Sequence, residues 1–238
     1  MSGLFRSKVL PTMPNIPVIN PKPVSETPPV KSNPELPPLP PKNAAIIRYS
    51  RCNREMAAGY ETLWKNCEIR SQFKSNVNAV VSRIKQNQER YATVAHVIKM
   101  PWELIAALHT LEAGGNFKGV MHNGELIIGT GRKTTLVPKG RGPFNTWEES
   151  CEDAIGVESR RPAGYRFDVA NTLFYAEMFN GFGYRGKGIN SPYLWSYTNN
   201  YSKGKYVSDG VWSSTAVSQQ CGVVPILLGL NWKPESWN

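Results

Sequence analysis

Residues 100–117 read MPWELIAALHTLEAGGNF, and the fold prediction starts from this stretch. After the proline and Trp102 at its start, Ile105, Leu108 and Leu111 recur at the spacing of one helix face. The stretch therefore predicts an amphipathic or largely buried helix of about three turns.

Glu112 falls in the last turn of this helix, because Gly114 and Gly115 predict a C-terminal cap directly after it. The helix dipole and dry surroundings both disfavour the carboxylate there and raise its pKa, which suits a general acid. A solvated glutamate at a helix end is the alternative. His109 shares the same side of the helix, where a contact in a cleft and a buried core histidine both fit.

The composition predicts one folded core and a basic surface. The chain has 238 residues, of which 40% are hydrophobic, and a formal net charge of +10. This charge favours polyanionic partners such as nucleic acid, acidic lipid or an anionic cell wall. No RNA-recognition, zinc-finger or helix-turn-helix motif is present, so no nucleic-acid partner is expected.

No apolar run reaches the length of a membrane span, and the N-terminal MSGLFRSKVLP breaks at a proline before a signal-peptide core. We therefore expect a soluble protein with no membrane partner and no export signal of its own. The four cysteines, which form no CxxC pair, predict free buried thiols and neither a metal site nor a cofactor. Disulfides Cys52–Cys67 and Cys151–Cys221 are the alternative in an oxidising space.

Residues 1–43 predict an extended Pro-rich segment that precedes a single folded domain, residues 44–238. Residues 11–41 contain twelve of the 19 prolines, so they favour polyproline II over a helix or a strand. Their interspersed apolar residues favour an anchor that lies along a partner protein, with a disordered linker as the alternative. Two helices are expected next, one over 43–69 from an Asn43 cap and one over 76–97.

The sequence after Phe117 predicts a small β-hairpin. Asn123-Gly124 is a tight-turn signal, and an apolar run follows over residues 126–128. Glu125 and Thr130 would then face Glu112 across a cleft, where either could hold or activate water.

A basic loop follows, with Arg141 the last of its cations, and it predicts either a site for substrate carboxylates or a solvated surface. Thr146 and Glu149 predict a capping box at the start of the next helix. Glu148 and Asp153 in that helix are less favoured as a second catalytic carboxylate.

Four blocks of this sequence resemble phage and bacterial lysozyme-superfamily peptidoglycan hydrolases. The blocks are RYATVAHVIKMPWELIAALHTLEAGGNF at 90–117, HNGE at 122–125, VPKGRGPF at 137–144 and TWEESCEDAIG at 146–156. The resemblance covers most of residues 58–222 and implies that Glu112 is the catalytic acid and that His122 and Asn123 are substrate contacts. The chain departs from many relatives at two positions, where Glu125 replaces Asp and Cys151 replaces Ala.

Residues 181–206 are rich in glycine, asparagine and aromatic side chains, a composition typical of a carbohydrate groove. The NGxGY and SPYLW patterns here also recur in the lysozyme-like relatives. The candidate sugar contacts are Asn180, Tyr184, Asn190, Tyr193 and Trp195. Anchoring of a long loop by Tyr193 and Trp195 is the alternative.

The resemblance implies an α+β, mostly helical, lysozyme-like fold with a small β-hairpin lobe, and cleavage of the β-1,4 MurNAc-GlcNAc bond of bacterial peptidoglycan. A lytic transglycosylase, a chitinase and a catalytically silent structural virion protein stay open as alternatives. The extended segment 1–43 favours a virion location on phage tail or baseplate proteins. A soluble endolysin in the host cytoplasm before lysis is the other reading.

Overall fold

The computed structural model describes residues 52–158, 165–208 and 210–234. These ranges are mostly helical and include one two-stranded antiparallel sheet, which confirms the predicted mostly helical character with a small β element. The Pro-rich segment 1–43 and the predicted cap at Asn43 lie outside the described residues.

Helix α1, Arg54–Lys65, begins at Asn53, whose side chain accepts the N–H of Met56 over 2.8 Å. This cap satisfies a helix N–H that has no partner within the helix. The buried face of α1 consists of Met56, Tyr60 and Leu63.

The single helix predicted over 76–97 is wrong, because the chain forms α2, Lys74–Gln86, and α3, Gln88–Ile98. Asn87 separates them with φ −118° and ψ 16°, and its side-chain amide donates to the carbonyl of Arg83 over 3.0 Å. An asparagine side chain that bonds the preceding backbone competes with helix continuation. The buried residues are Val77, Val81 and Ile84 in α2 and Tyr91, Val94 and Ala95 in α3.

Helix α4, Trp102–Ala113, lies at the centre of the fold, as its apolar sequence predicts. It packs against α3, α6 and α8, and residues 104–108 are 0% exposed. Gly114 ends it with φ 63°, which confirms the predicted cap.

The β-hairpin predicted around Asn123-Gly124 is wrong, because residues 118–145 form a lobe of turns without regular strands. We call these residues the loop lobe. Its own small core contains Val120, Ile127 and Phe144. Side-chain hydrogen bonds to the backbone, described below, replace the strand pairing that a hairpin would need.

Helix α5, Trp147–Glu158, and helix α6, Val169–Asn180, follow the lobe. The capping box is confirmed, because Thr146 Oγ1 accepts the N–H of Glu149 and a carboxylate oxygen of Glu149 accepts the N–H of Asn145 over 2.8 Å. Helix α6 is also capped, since Asp168 accepts the N–H of Asn171 over 2.7 Å.

The remaining described residues form short elements. They are 3-10 helices over Ser71–Phe73 and Phe182–Lys187, α7 over Pro192–Trp195, β1 over Lys205–Ser208, β2 over Val211–Ser213 and α8 over Val223–Gly229. Tyr206 pairs with Trp212 across the sheet. The β element therefore lies near the C-terminal end of the described chain rather than next to Glu112 in sequence.

The four cysteines are free thiols, as predicted, and the two alternative disulfides are not formed in this structure. Only Cys151 and Cys221 are buried, whereas Cys52 and Cys67 are half-buried, so the predicted burial is wrong for these two. Burial raises the pKa of Cys221 to about 12, so this thiol stays protonated at neutral pH. Among the described residues, no helix is long and apolar enough to cross a membrane.

Candidate active site

The carboxyl of Glu112 lies in the last turn of α4 and is 2% exposed. Gly114 donates its N–H to the carbonyls of His109 and Thr110, which closes the helix immediately after Glu112. A left-handed cap of this kind favours glycine, so the local sequence fixes where the helix ends and where the carboxyl sits.

Tyr193 holds this carboxyl from a distant part of the chain. Its hydroxyl donates to Oε1 of Glu112 over 3.0 Å, and its side chain is 0% exposed. Pro192 begins the short helix α7 and presets its backbone, which positions the tyrosine on the next residue. The sequence predicted Tyr193 as a sugar contact, whereas the structure gives it the role of a partner of Glu112.

Two further segments contact the backbone of the helical turn that carries Glu112. Gln220 donates its side-chain amide to the carbonyl of Leu111 over 2.8 Å. Gly124 packs so closely that a Cβ there would lie 2.5 Å from the carbonyl oxygen of Glu112, and its φ of 77° also favours glycine. The Asn123-Gly124 turn therefore rests directly against the end of α4.

Glu125 is fixed inside the loop lobe rather than offered to a substrate. Its carboxylate accepts the N–H of Thr135 over 2.9 Å, the hydroxyl of Thr135 over 2.6 Å and the N–H of Leu136 over 3.0 Å. Asn123 donates a further bond over 3.0 Å. Partial burial raises the pKa of Glu125, but these hydrogen bonds outweigh it and the net pKa is lowered.

Thr130 and Asn123 also have structural partners in the lobe. The hydroxyl of Thr130 donates to the carbonyl of Ile127 over 2.8 Å, and Asn123 Oδ1 accepts the N–H of Glu125 over 3.1 Å. The second bond is an Asx turn, a local motif that an asparagine before a glycine favours. Both predicted water-handling groups, Glu125 and Thr130, are thus engaged in holding the lobe.

His122, Asp153 and Arg141 form a chain of contacts between the lobe and α5. His122 Nε2 lies 2.7 Å from Asp153 Oδ2, and Arg141 Nε donates to that same oxygen over 2.8 Å. Burial raises the pKa of Asp153, but the hydrogen bonds from Arg141 and His122 lower it overall. His122 is 0% exposed, so it and Arg141 join the lobe to α5 in this structure.

His109 is a core residue. It is 0% exposed, its Nδ1 lies 2.9 Å from the hydroxyl of Tyr91, and its ring packs against Phe117 and Trp147. Burial lowers its pKa to about 3, so the imidazole is neutral at physiological pH. Of the two roles considered for His109, packing is the one that this burial supports.

The remaining predicted sugar contacts are also largely internal. Trp195 is 1% exposed and Asn180 9%, whereas Asn190 donates to the carbonyl of Asn200 over 2.9 Å. Tyr184, 7% exposed, packs against the cross-strand pair of Tyr206 and Trp212. These residues shape the interior next to the site rather than present an open aromatic surface.

The sequence did not identify Gln220 or the role of Tyr193 as a partner. No local sequence pattern could have predicted these two contacts, because both residues are far from α4 in the chain. The Gln220 bond spans 109 positions and the Tyr193 bond spans 81. Among the described residues, no cluster of three His, Cys, Asp or Glu side chains could hold a metal ion.

Comparison of the chain with known protein families, curated proteins and solved structures finds no match.

Proposed function

We propose that this protein cleaves the β-1,4 bond between the amino sugars of bacterial peptidoglycan, with Glu112 as the general acid. The observation that carries the proposal is the buried pair of Glu112 and Tyr193 at the end of α4. Three other segments, those of Tyr193, Gln220 and Gly124, converge on this one helical turn. A carboxyl that one distant side chain binds, on a helical turn whose backbone two other segments contact, fits a catalytic position.

In the proposed reaction, Glu112 donates its proton to the glycosidic oxygen while the bond breaks through an oxocarbenium-like state. Tyr193 fixes the direction of the carboxyl through its 3.0 Å hydrogen bond. Because a general acid must be oriented toward the leaving oxygen, this bond supports the assignment of Glu112.

A lytic transglycosylase is the second candidate, and one observation favours it over a hydrolase. A hydrolase needs a group that orients water, and the two groups predicted for that task, Glu125 and Thr130, are engaged in the lobe. A transglycosylase needs only the acid, because the 6-hydroxyl of the muramyl sugar is its nucleophile. A chitinase of the same fold would use the same acid on a different polymer.

The first experiment compares wild type, Glu112→Gln and Glu103→Gln in a zymogram of purified peptidoglycan. Glu103 lies in the first turn of α4 and serves as the matched control. We expect Glu112→Gln to lose at least about a hundredfold in activity, a typical contribution of general-acid catalysis. Activity of Glu112→Gln within a few-fold of wild type would refute the assignment.

Mass spectrometry of the products separates the two reactions. Reducing ends identify a hydrolase, 1,6-anhydro ends identify a transglycosylase, and activity on chitin alone identifies a chitinase. A folded protein that binds sacculi but releases no product would instead support the structural virion protein.

We also propose that the protein is carried on a phage virion, attached through residues 1–43. An extended proline-rich chain loses less entropy when it lies along a partner than a flexible chain does. Proteomics of purified particles tests this location, and deletion of residues 1–43 should remove the protein from particles while activity in solution persists. Absence from virions and abundance in lysates would favour the endolysin reading.

A further inference from the structure

Three aliphatic side chains of the loop lobe are unusually exposed. Leu126 is 58% exposed, Leu136 56% and Val137 55%. We call these three residues the lobe tip. The carboxylate of Glu125, the residue before Leu126, accepts the N–H of Leu136, so the three residues lie on neighbouring segments. Large exposed apolar side chains on neighbouring segments mark a place where a protein meets another apolar phase or partner.

Hydrogen bonds hold the lobe tip in place. The carboxylate of Glu125 accepts the N–H of Leu136, and Asn123 donates to the carbonyl of Val137 over 3.4 Å. Arg132 donates to the carbonyl of Leu126 over 3.3 Å. Because backbone groups next to all three side chains are bound, the tip is presented by an ordered frame and loses little entropy when it binds.

Cations flank the lobe tip. Arg132, Lys133 and Lys139 are all exposed, and the loop lobe contains five basic residues and one acidic residue, Glu125. The charge of Glu125 is already compensated by several donors. The outer surface of the lobe is therefore both apolar and positively charged.

We infer that the loop lobe docks on an anionic lipid surface, with the lobe tip inserted at the headgroup level and the three flanking cations against lipid phosphates. Aliphatic side chains next to Lys and Arg match an anionic membrane interface. They match a glycan poorly, since sugars pack on flat aromatic faces and the tip has none. The sequence alone predicted no membrane partner, and the exposure and the charge of the tip change that expectation.

This inference does not depend on Glu112. Lipid binding by a surface lobe and bond cleavage at the end of α4 are separable properties. A protein with Glu112→Gln should bind vesicles like wild type.

The test is flotation of the full-length protein with vesicles of phosphatidylcholine, with and without phosphatidylglycerol. One variant changes the lobe tip, Leu126, Leu136 and Val137, to serine. A second changes Arg132, Lys133 and Lys139 to glutamine. We expect the charge variant to lose about a hundredfold in partitioning onto anionic vesicles, because each Lys or Arg near such a surface contributes about 1 kcal/mol, or about fivefold.

We expect the tip variant to lose about tenfold or more, because its apolar contribution to interfacial binding is removed. Binding of wild type should weaken as salt screens the anionic surface. The single change Leu136→Ser carries the test if the triple variant loses its cooperative melting transition.

Matched controls separate the lobe from the net charge of the chain. Three other exposed valines, Val97 at 58%, Val207 at 48% and Val211 at 52%, are changed to serine as the apolar control. The charge control changes the exposed cations Lys74, Arg83 and Lys85 of α2 to glutamine. Both controls should keep binding within about fivefold of wild type, the effect of one charge.

The inference is supported if both lobe variants bind anionic vesicles more weakly than wild type while both controls bind them like wild type. Wild type and all variants should bind neutral vesicles weakly. Equal losses in lobe and control variants would overturn it, since net charge would then explain the binding. Equal binding of wild type to neutral and anionic vesicles would also overturn it. The inference would also be overturned if the lobe variants still bound anionic vesicles but no longer bound purified sacculi, because the partner would then be a cell-wall polymer.

Discussion

The hydroxyl of Tyr193 donates a 3.0 Å hydrogen bond to Oε1 of Glu112, and the two residues are 81 positions apart in the chain. The bond joins the end of α4, which lies at the centre of the fold, to the short helix α7. Both side chains are almost fully buried, so the bond holds the carboxyl in one direction from inside the fold.

Changing Tyr193 to phenylalanine removes this hydroxyl alone. We expect a loss of about 1 to 3 kcal/mol in unfolding free energy, because a donor to a buried carboxyl oxygen is lost. Activity on peptidoglycan should fall about tenfold as the acid loses its orientation. The control is Tyr197→Phe, which loses a hydrogen bond to the carbonyl of Gln219. Equal activity of the two variants would show that the Tyr193 bond is only structural.

Buried His109 should make the protein sensitive to acid. Its folded pKa of about 3 lies below the ordinary 6.5, so the unfolded state takes up the proton first. The contribution of neutral His109 to the free energy of unfolding is therefore complete above pH 6.5, and it is lost as the pH drops from 6.5 toward 3. At two pH units below 6.5 the loss should reach about 2 to 3 kcal/mol.

Denaturant unfolding from pH 7 to pH 4 measures this effect. His109→Gln should reduce the pH dependence of the unfolding free energy. His96→Gln, at an exposed position of α3, should leave this pH dependence unchanged. An unaltered slope in His109→Gln would assign the acid sensitivity to other groups.

Glu177, Arg185 and Tyr60 form a buried polar group that joins α6, the following 3-10 helix and α1. Arg185 donates to both oxygens of Glu177, over 3.0 and 2.8 Å, and the Tyr60 hydroxyl bonds the same carboxylate. Glu177→Gln should cost up to about 3 kcal/mol, because it leaves the Arg185 charge, whose side chain is only 23% exposed, without its anionic partner.

The double variant Glu177→Gln/Arg185→Gln should cost less than the sum of the two single variants, which double-mutant unfolding measures directly. The exposed pair of Arg90 and Glu148 is the comparison, with side chains 41% and 27% exposed. Glu148→Gln should cost less than about 1 kcal/mol. Additive single losses at Glu177 and Arg185 would contradict the proposed coupling.

Glu125 should stabilise the loop lobe without changing the reaction. Its folded pKa is lowered, so its contribution is present above its ordinary value of 4.5 and is lost as the pH falls below that value. The protection factors of the Thr135 and Leu136 amides, which relate their hydrogen exchange to the intrinsic rate at each pH, should fall in acid. They should also fall at neutral pH in Glu125→Gln, but not in the control Glu61→Gln on α1.

The products released from peptidoglycan by Glu125→Gln should be of the same chemical type as those of wild type, at a rate reduced several-fold by the looser lobe. A complete loss of products from a variant with normal hydrogen exchange would instead make Glu125 a catalytic residue.

The sequence by itself determined the elements whose signals are local. The apolar spacing in 100–117 predicted α4, Gly114 predicted its end, and the Thr146 and Glu149 capping box predicted the start of α5, all of which the structure confirms. Each of these signals acts within about one helical turn, so neighbouring residues are enough to read it. The position of Glu112 in the last turn of α4 followed from the same local information.

Only the tertiary structure decided which residues meet. Residues 118–145 read as a hairpin, but Glu125 draws in the backbone of Thr135 and Leu136 ten and eleven positions away and forms turns instead. The sequence predicted Tyr193 as a sugar contact, but in the folded chain α7 places its hydroxyl in a hydrogen bond to Glu112. A buried polar group must find a partner, and the packing of the whole chain chooses that partner. Periodicity and spacing describe one segment at a time, so they do not predict which distant residues come into contact.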